Sequence, residues 1–358
     1  MRHAMWMATW FVAFGALSCG SSEPADTGAG GTGGTGGTGG GGGAAGSDAG
    51  TPDGGNPSDS GSGVTAEQAC TETASALCTK FESCAPFAIT ILFGDMATCT
   101  SIAKTGCLGS LQATKTAATP DGFMKCGQDL KTAACSDILA HKSPTSCQPK
   151  GGTVGNGMVC GDDWQCTSGH CAIPDNANCG VCADLKPAGG SCPGNTDDEC
   201  EFGLVCADNL VCVAPGAAGA ACDANHPCQG PLICQGATMT AQGTCATGGA
   251  LGEPCTSDDG CSILQGLWCT RAANRTCAKI GAADPGMACG FLGLTEFALC
   301  KGGGGGGNGG CTVATGMVMG TCPKLGMPGE TCSANAPCKA GAKCVNGLCA
   351  VRDPAACR

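Results

Sequence analysis

Cysteine carries most of the chemistry this chain can offer, with 35 among 358 residues. From residue 157 onward the cysteines fall into six sets. Each set opens Gly-x-x-Cys: Gly157/Cys160, Gly189/Cys192, Gly219/Cys222, Gly252/Cys255, Gly286/Cys289 and Gly329/Cys332. Four cysteines close in sequence can form two bridges in three connectivities. For four of the sets we expect first-to-third and second-to-fourth pairing. That gives Cys192–Cys206 with Cys200–Cys212, Cys222–Cys234 with Cys228–Cys245, Cys255–Cys269 with Cys261–Cys277, and Cys332–Cys344 with Cys338–Cys349. Crossed bridges tie both ends of a loop to its middle, which suits a unit with almost no apolar core. Spacing alone leaves sequential and nested pairing open. Also open are the partners of Cys147, Cys179, Cys182 and Cys357, two of which exceed six sets of four.

Zinc is the rival use of these thiols. Cys179 and Cys182 have finger-like spacing, and His170, Cys166 and Cys171 lie near them in sequence. A structural zinc site needs four such ligands as thiolate or neutral imidazole. A cysteine content of about a tenth marks a disulfide scaffold in an oxidising compartment, so bridges are expected and no metal or cofactor. The acidic pairs Asp162/Asp163, Asp197/Asp198 and Asp258/Asp259 lack the alternating ligands of a calcium loop and read as solvated turns. Asp163, Asp198, Asp223, Asp258 and Asn335 sit between first and second cysteines, where Asx turns are expected. There is no Gly-x-Ser-x-Gly, no His-Glu-x-x-His and no Walker loop, and of the four histidines His141, His170 and His226 are expected on surfaces. Gly28, Gly30 and Gly33 match a dinucleotide fingerprint only by falling in low-complexity glycine, without the strand and helix it needs. No enzyme is read here.

The elements that must hold the cysteines differ along the chain. Residues 1–19 read as a secretory signal, with Arg2 and His3 before an apolar stretch too short to span a bilayer. Its end, Ala16-Leu17-Ser18-Cys19, resembles the bacterial lipobox, with Ala16 where Leu is favoured. That resemblance implies acyl chains on Cys19 and, with Gly20 following, outer-membrane sorting. Residues 20–63 are Gly, Ser, Thr, Ala, Asp and Pro, a flexible tether with a reach on the order of 35–40 Å. Residues 64–147 carry eight widely spaced cysteines. Cys70/Cys78 and Cys99/Cys107 are each eight residues apart, which places each pair on one helix face. Helices are predicted over 65–82, 95–112 and 121–141, with Asp95 and Asp121 as start residues. They would form a small three-helix bundle with about four bridges.

Residues 148–358 are the repeat array. Its first unit runs Cys160-Gly-Asp-Asp-Trp-Gln-Cys166-Thr-Ser-Gly-His-Cys171, then Cys179-Gly-Val-Cys182. It resembles the opening of the Dickkopf N-terminal cysteine-rich domain, over about 25 residues, and the resemblance implies a small secreted module for protein–protein contact. The whole layout is similar to the cysteine-rich lipoproteins of myxobacteria. The expected fold is thus small disulfide-rich repeat modules with little regular secondary structure, preceded by a small disulfide-stapled α-helical bundle. The expected function is a lipid-anchored, exported protein at the outer membrane or cell surface that presents its modules to a protein or glycan partner. The alternative is a protease-resistant envelope stalk or spacer. Net charge −11 and the lack of any basic run argue against nucleic acid. Trp164 and Trp268 are the array's tryptophans, candidates either to anchor a binding patch or to pack over their own module's bridges.

Overall fold

The computed structural model describes residues 63–357 apart from 141, 150, 175–176, 194–196, 239, 258–259, 304–309, 314–318, 334–335 and 340–341. The signal segment, Cys19 and the tether up to residue 62 lie outside the described residues, as do His141, Asp258, Asp259, Asn335 and the side chain of Asp198.

The helical unit has five helices among the described residues: α1 (Ala66–Cys84), α2 (Pro86–Phe93), α3 (Met96–Gln112), α4 (Pro120–Thr132) and α5 (Cys135–Leu139). Local chemistry sets their starts. The Thr65 hydroxyl accepts from the Gln68 N–H, and the Gln68 side chain accepts from the Thr65 N–H at 3.0 Å, a capping box. Asp95 caps α3 by accepting from the Thr98 N–H at 2.7 Å. Thr119, not Asp121, caps α4, with Pro120 in the first turn, where its missing N–H costs nothing. The single helix expected over 121–141 breaks at Ala133–Ala134, both extended, into α4 and α5.

Helix α2 lies outside the three helices that the sequence predicts. Its sequence, Pro-Phe-Ala-Ile-Thr-Ile-Leu-Phe, is apolar all round and so shows no helical stripe. Ala88, Ile89, Leu92 and Phe93 face the main core with Leu77, Phe81 and Leu130, while Ile91 and Phe87 face the array. Bridges Cys70–Cys107 and Cys78–Cys99 staple α1 to α3, with Cα atoms 5.5 and 6.1 Å apart. Cys84–Cys135 and Cys126–Cys147 fix α5 and the segment after it. Among the described residues no single helix is long and apolar enough to cross a membrane.

Each of the six modules is the same short backbone recipe, written in small sheets of two to five strands. The glycine opening each set has φ between +79° and +87°, a conformation other residues adopt only with strain. Its N–H donates to the fourth cysteine's carbonyl at 2.7–2.8 Å in all six modules. The fourth cysteine's N–H returns a bond to the residue after that glycine, at 2.8–2.9 Å. Three residues before the glycine the chain pairs in parallel beside the second cysteine, as Val154 does with Cys166 and Gly326 with Cys338. The bridges are crossed, first to third and second to fourth, in the four modules where that pairing is expected. Modules one and five, through Cys160–Cys171, Cys166–Cys182, Cys289–Cys311 and Cys300–Cys322, follow the same rule. The seventeenth bridge, Cys179–Cys357, spans 178 residues and joins module one to the end of the chain.

The modules dock on the helical unit. The Trp164 carbonyl accepts from the Ala117 N–H at 2.8 Å, and module five donates from the Gly302 N–H to Thr90 of α2 at 3.2 Å. Gly230 of module three lies against the backbone of Leu139 in α5, and Gly266 of module four lies against the Phe87 ring. The described residues from 64 to 357 belong to one compact unit.

Candidate functional site

All cysteines among the described residues are bridged, in 17 pairs. In five of the modules at least, three sulfurs lie within 4.8 Å of one another. These are neighbouring bridges, and a bridged sulfur offers no thiolate to a metal. Cys166, Cys171, Cys179 and Cys182, the ligands weighed for zinc, pair with Cys182, Cys160, Cys357 and Cys166 respectively. His170, expected at the surface, is buried with its Nδ1 3.8 Å from Asp163 Oδ1. His226 is exposed, 2.8 Å from Asp223 Oδ1.

Trp164 and Trp268 do not anchor an exposed patch, and neither do they simply cover their own bridges. Both are buried at seams. Trp164 tilts against Phe123 of α4, centroids 5.5 Å apart, beside Cys70 and Cys107 of the helical unit. Trp268 tilts against Phe297 and Phe291 of module five at 5.3 and 5.6 Å and packs with Ile91 of α2. A large ring next to a helix surface loses more water contact than one over a small module, which explains both placements.

What the array exposes instead is its turns. Among the described residues five large apolar side chains are more than half exposed: Met158, Leu251, Met287, Leu294 and Met327. Four of them, all but Leu294, lie within two residues of the module-opening glycines Gly157, Gly252, Gly286 and Gly329. The turn beneath them is fixed by the paired backbone bonds to the fourth cysteine. In the sequence these glycines read as turn markers; the signal for their neighbours is Met or Leu recurring within two positions of the glycine. Methionine is unbranched and polarisable, and adapts to irregular surfaces.

A second arrangement was hidden by an acidic pair that read as solvated. Asp162 and Asp163 are both buried, where module one meets α3 and the C-terminal segment. Asp162 accepts from the Trp164 N–H at 2.9 Å and from Ser110 Oγ of α3 at 2.8 Å. Asp163 accepts from the Cys171 N–H at 2.7 Å. Gln165 accepts from the Gly161 N–H at 2.7 Å and donates to the Thr114 carbonyl at 2.7 Å. Arg352, from the C-terminal segment, is the compensating cation. Burial and then the neighbouring Asp162 charge push the Asp163 carboxyl up to about 7, against the pull of the Cys171 N–H and Arg352. Burial raises Asp162 as well, and lowers His170.

The same acid recurs one module on. Asp197 accepts from the third cysteine's N–H, Cys206, at 2.6 Å, and burial raises it to about 6. Asp223 departs from this. It is only half-buried and takes hydrogen bonds from Gln242, His226 and the Asn225 N–H, which lower it to about 2. Comparison with protein-family models, with curated proteins and with solved structures finds no match to this chain.

Proposed function

We propose that the protein is exported, held at the outer membrane or cell surface by acyl chains on Cys19, and presents its modules to a protein or glycan partner without catalysing a reaction. The observation that carries this reading is the recurrence of an exposed apolar side chain at the same rigid turn in four modules: Met158, Leu251, Met287 and Met327. Single exposed apolar residues are ordinary. Four clustered within two residues of the same glycine turn give several weak contacts whose joint engagement multiplies affinity. Full oxidation of the described cysteines agrees with an extracytoplasmic setting. The competing reading, a protease-resistant stalk, calls for an elongated array, and the docked modules and the Cys179–Cys357 closure count against it.

The test replaces all four turn residues with serine and compares binding of purified protein to immobilised envelope material. Disulfide maps of the two proteins should be identical, and binding should fall by about 10- to 100-fold. Equal binding by the variant overturns the turn-display reading. Separately, Cys19→Ala should move the protein from the membrane to the soluble fraction, and retention in the membrane overturns the anchor.

A further inference from the structure

The last residues of the chain are built as a plug. After module six, Asp353 caps a 3-10 turn over Pro354–Ala356, accepting from the Ala355 N–H at 2.9 Å. Pro354 is fully buried. It sits against two glycines from different elements. A methyl group on Gly109 of α3 would lie 3.2 Å from Pro354 Cδ, and one on Gly161 of module one would lie 2.7 Å from Pro354 Cα. Neither glycine has positive φ, so closeness to the proline, not backbone need, explains glycine there. One residue before the cap, Arg352 is half-buried, its Nε enclosed without a hydrogen-bond partner, and its charge acts on Asp162 and Asp163. Cys357 then bridges to Cys179.

We propose that residues 352–357 are a pH-sensitive latch, in which Arg352, whose charge acts on the buried Asp162–Asp163 pair, and Pro354 between Gly109 and Gly161 seat the segment, and Cys179–Cys357 holds the seated form. The charged and titratable groups facing the seat are Asp162, Asp163 and His170 from module one, Lys186 from the start of module two, and Arg352 from the latch; α3 contributes the uncharged Ser110. With one aspartate protonated, Arg352 balances the other. With both ionised, one cation faces two buried anions. Asp163 is raised in the folded state, so its contribution is complete below the unfolded carboxylate value and is lost as pH rises through about 7. His170 acts oppositely. Burial keeps it neutral, and its contribution is lost as pH falls through its lowered value, which bounds the window on the acid side.

The bridge masks this seat, so the experiment removes it. In the full-length Cys179→Ser/Cys357→Ser protein, amide hydrogen exchange of the C-terminal peptide is measured between pH 5.5 and 8.5 and corrected for intrinsic rates. Protection should fall about tenfold between pH 6 and pH 8, as one linked ionisation near 7 requires. Adding Asp163→Asn should flatten the profile. Because Asp163 also supports module one, Arg352→Met in the same background is the second arm. It should remove protection at every pH while the Cys160–Cys171 and Cys166–Cys182 bridges still map intact. A C-terminal peptide that exchanges equally at all pH values, or that stays protected in the Arg352→Met protein, overturns the proposal.

Discussion

The helical unit and the module array solve the same problem with different materials. The helical unit buries Leu77, Phe81, Ile89, Leu92, Phe93, Leu130 and Ile138 in one core, and its four bridges close long loops, 21 to 51 residues apart. The modules bury mainly their own cysteines. Their bridges close short loops, 11 to 22 residues apart, over a backbone pattern repeated six times. In the first region a bridge adds to a core; in the second the bridges replace it. A set of four cysteines and one left-handed glycine specifies a module whose other positions are then free to vary, which is how one recipe yields a buried Trp164 in one module and an exposed Met327 in another.

The largest expected effect falls on the seam between the two regions. Trp268→Ala removes the ring that joins Ile91 of α2 to Phe291 and Phe297, and should cost about 3–5 kcal/mol in denaturant unfolding. Exchange protection should be lost on both sides of the seam. A loss confined to module four would mean that the array stands apart from the helices.

Bridge deletions test the comparison itself. Cys78→Ser/Cys99→Ser and Cys332→Ser/Cys344→Ser should each cost about 2–4 kcal/mol. The helical variant should keep its circular dichroism, because its core remains. Module six should become sensitive to limited proteolysis over residues 326–351, because one bridge alone is left. Equal resistance in the two variants would break the distinction drawn here.

A smaller effect sharpens it within the array. Asp197 is raised to about 6, so its contribution is complete below the unfolded carboxylate value and is lost as pH rises through about 6. Asp197→Asn should flatten the stability profile of module two over that window, a difference of at most about 2–3 kcal/mol. Asp223→Asn in module three should change nothing there, since hydrogen bonds from Gln242, His226 and Asn225 hold that half-buried carboxyl low. A matching pH slope in both modules would contradict the desolvation of Asp197.

The staples and the repeat were legible in the chain because both are periodic. Cysteines eight residues apart point along one helix face, and Cys70, Cys78, Cys99 and Cys107 do join α1 to α3. Gly-x-x-Cys marks every module because only one backbone conformation fits there. What periodicity could not carry was lost. Helix α2 has no polar face to betray its turn. Asp162, Asp163 and His170 look solvated until α3 and the C-terminal segment cover them. Cys179 and Cys357 find each other across 178 residues, a distance at which spacing says nothing. The tryptophans read as module residues because the surface that buries them lies far away in sequence.

That long bridge changes how the protein breaks and how it bears load. Between Cys179 and Cys357 the chain is a covalent circle. A single cut by a protease anywhere on the circle opens it without freeing a fragment, so shedding a module demands a second cut on its other side. Force applied to module four likewise reaches the helical end by two covalent routes. One runs back through modules three, two and one, and the other runs forward through modules five and six and across Cys357 to Cys179. Each arm then carries part of the pull, and a module that yields in one arm transfers its load to the other.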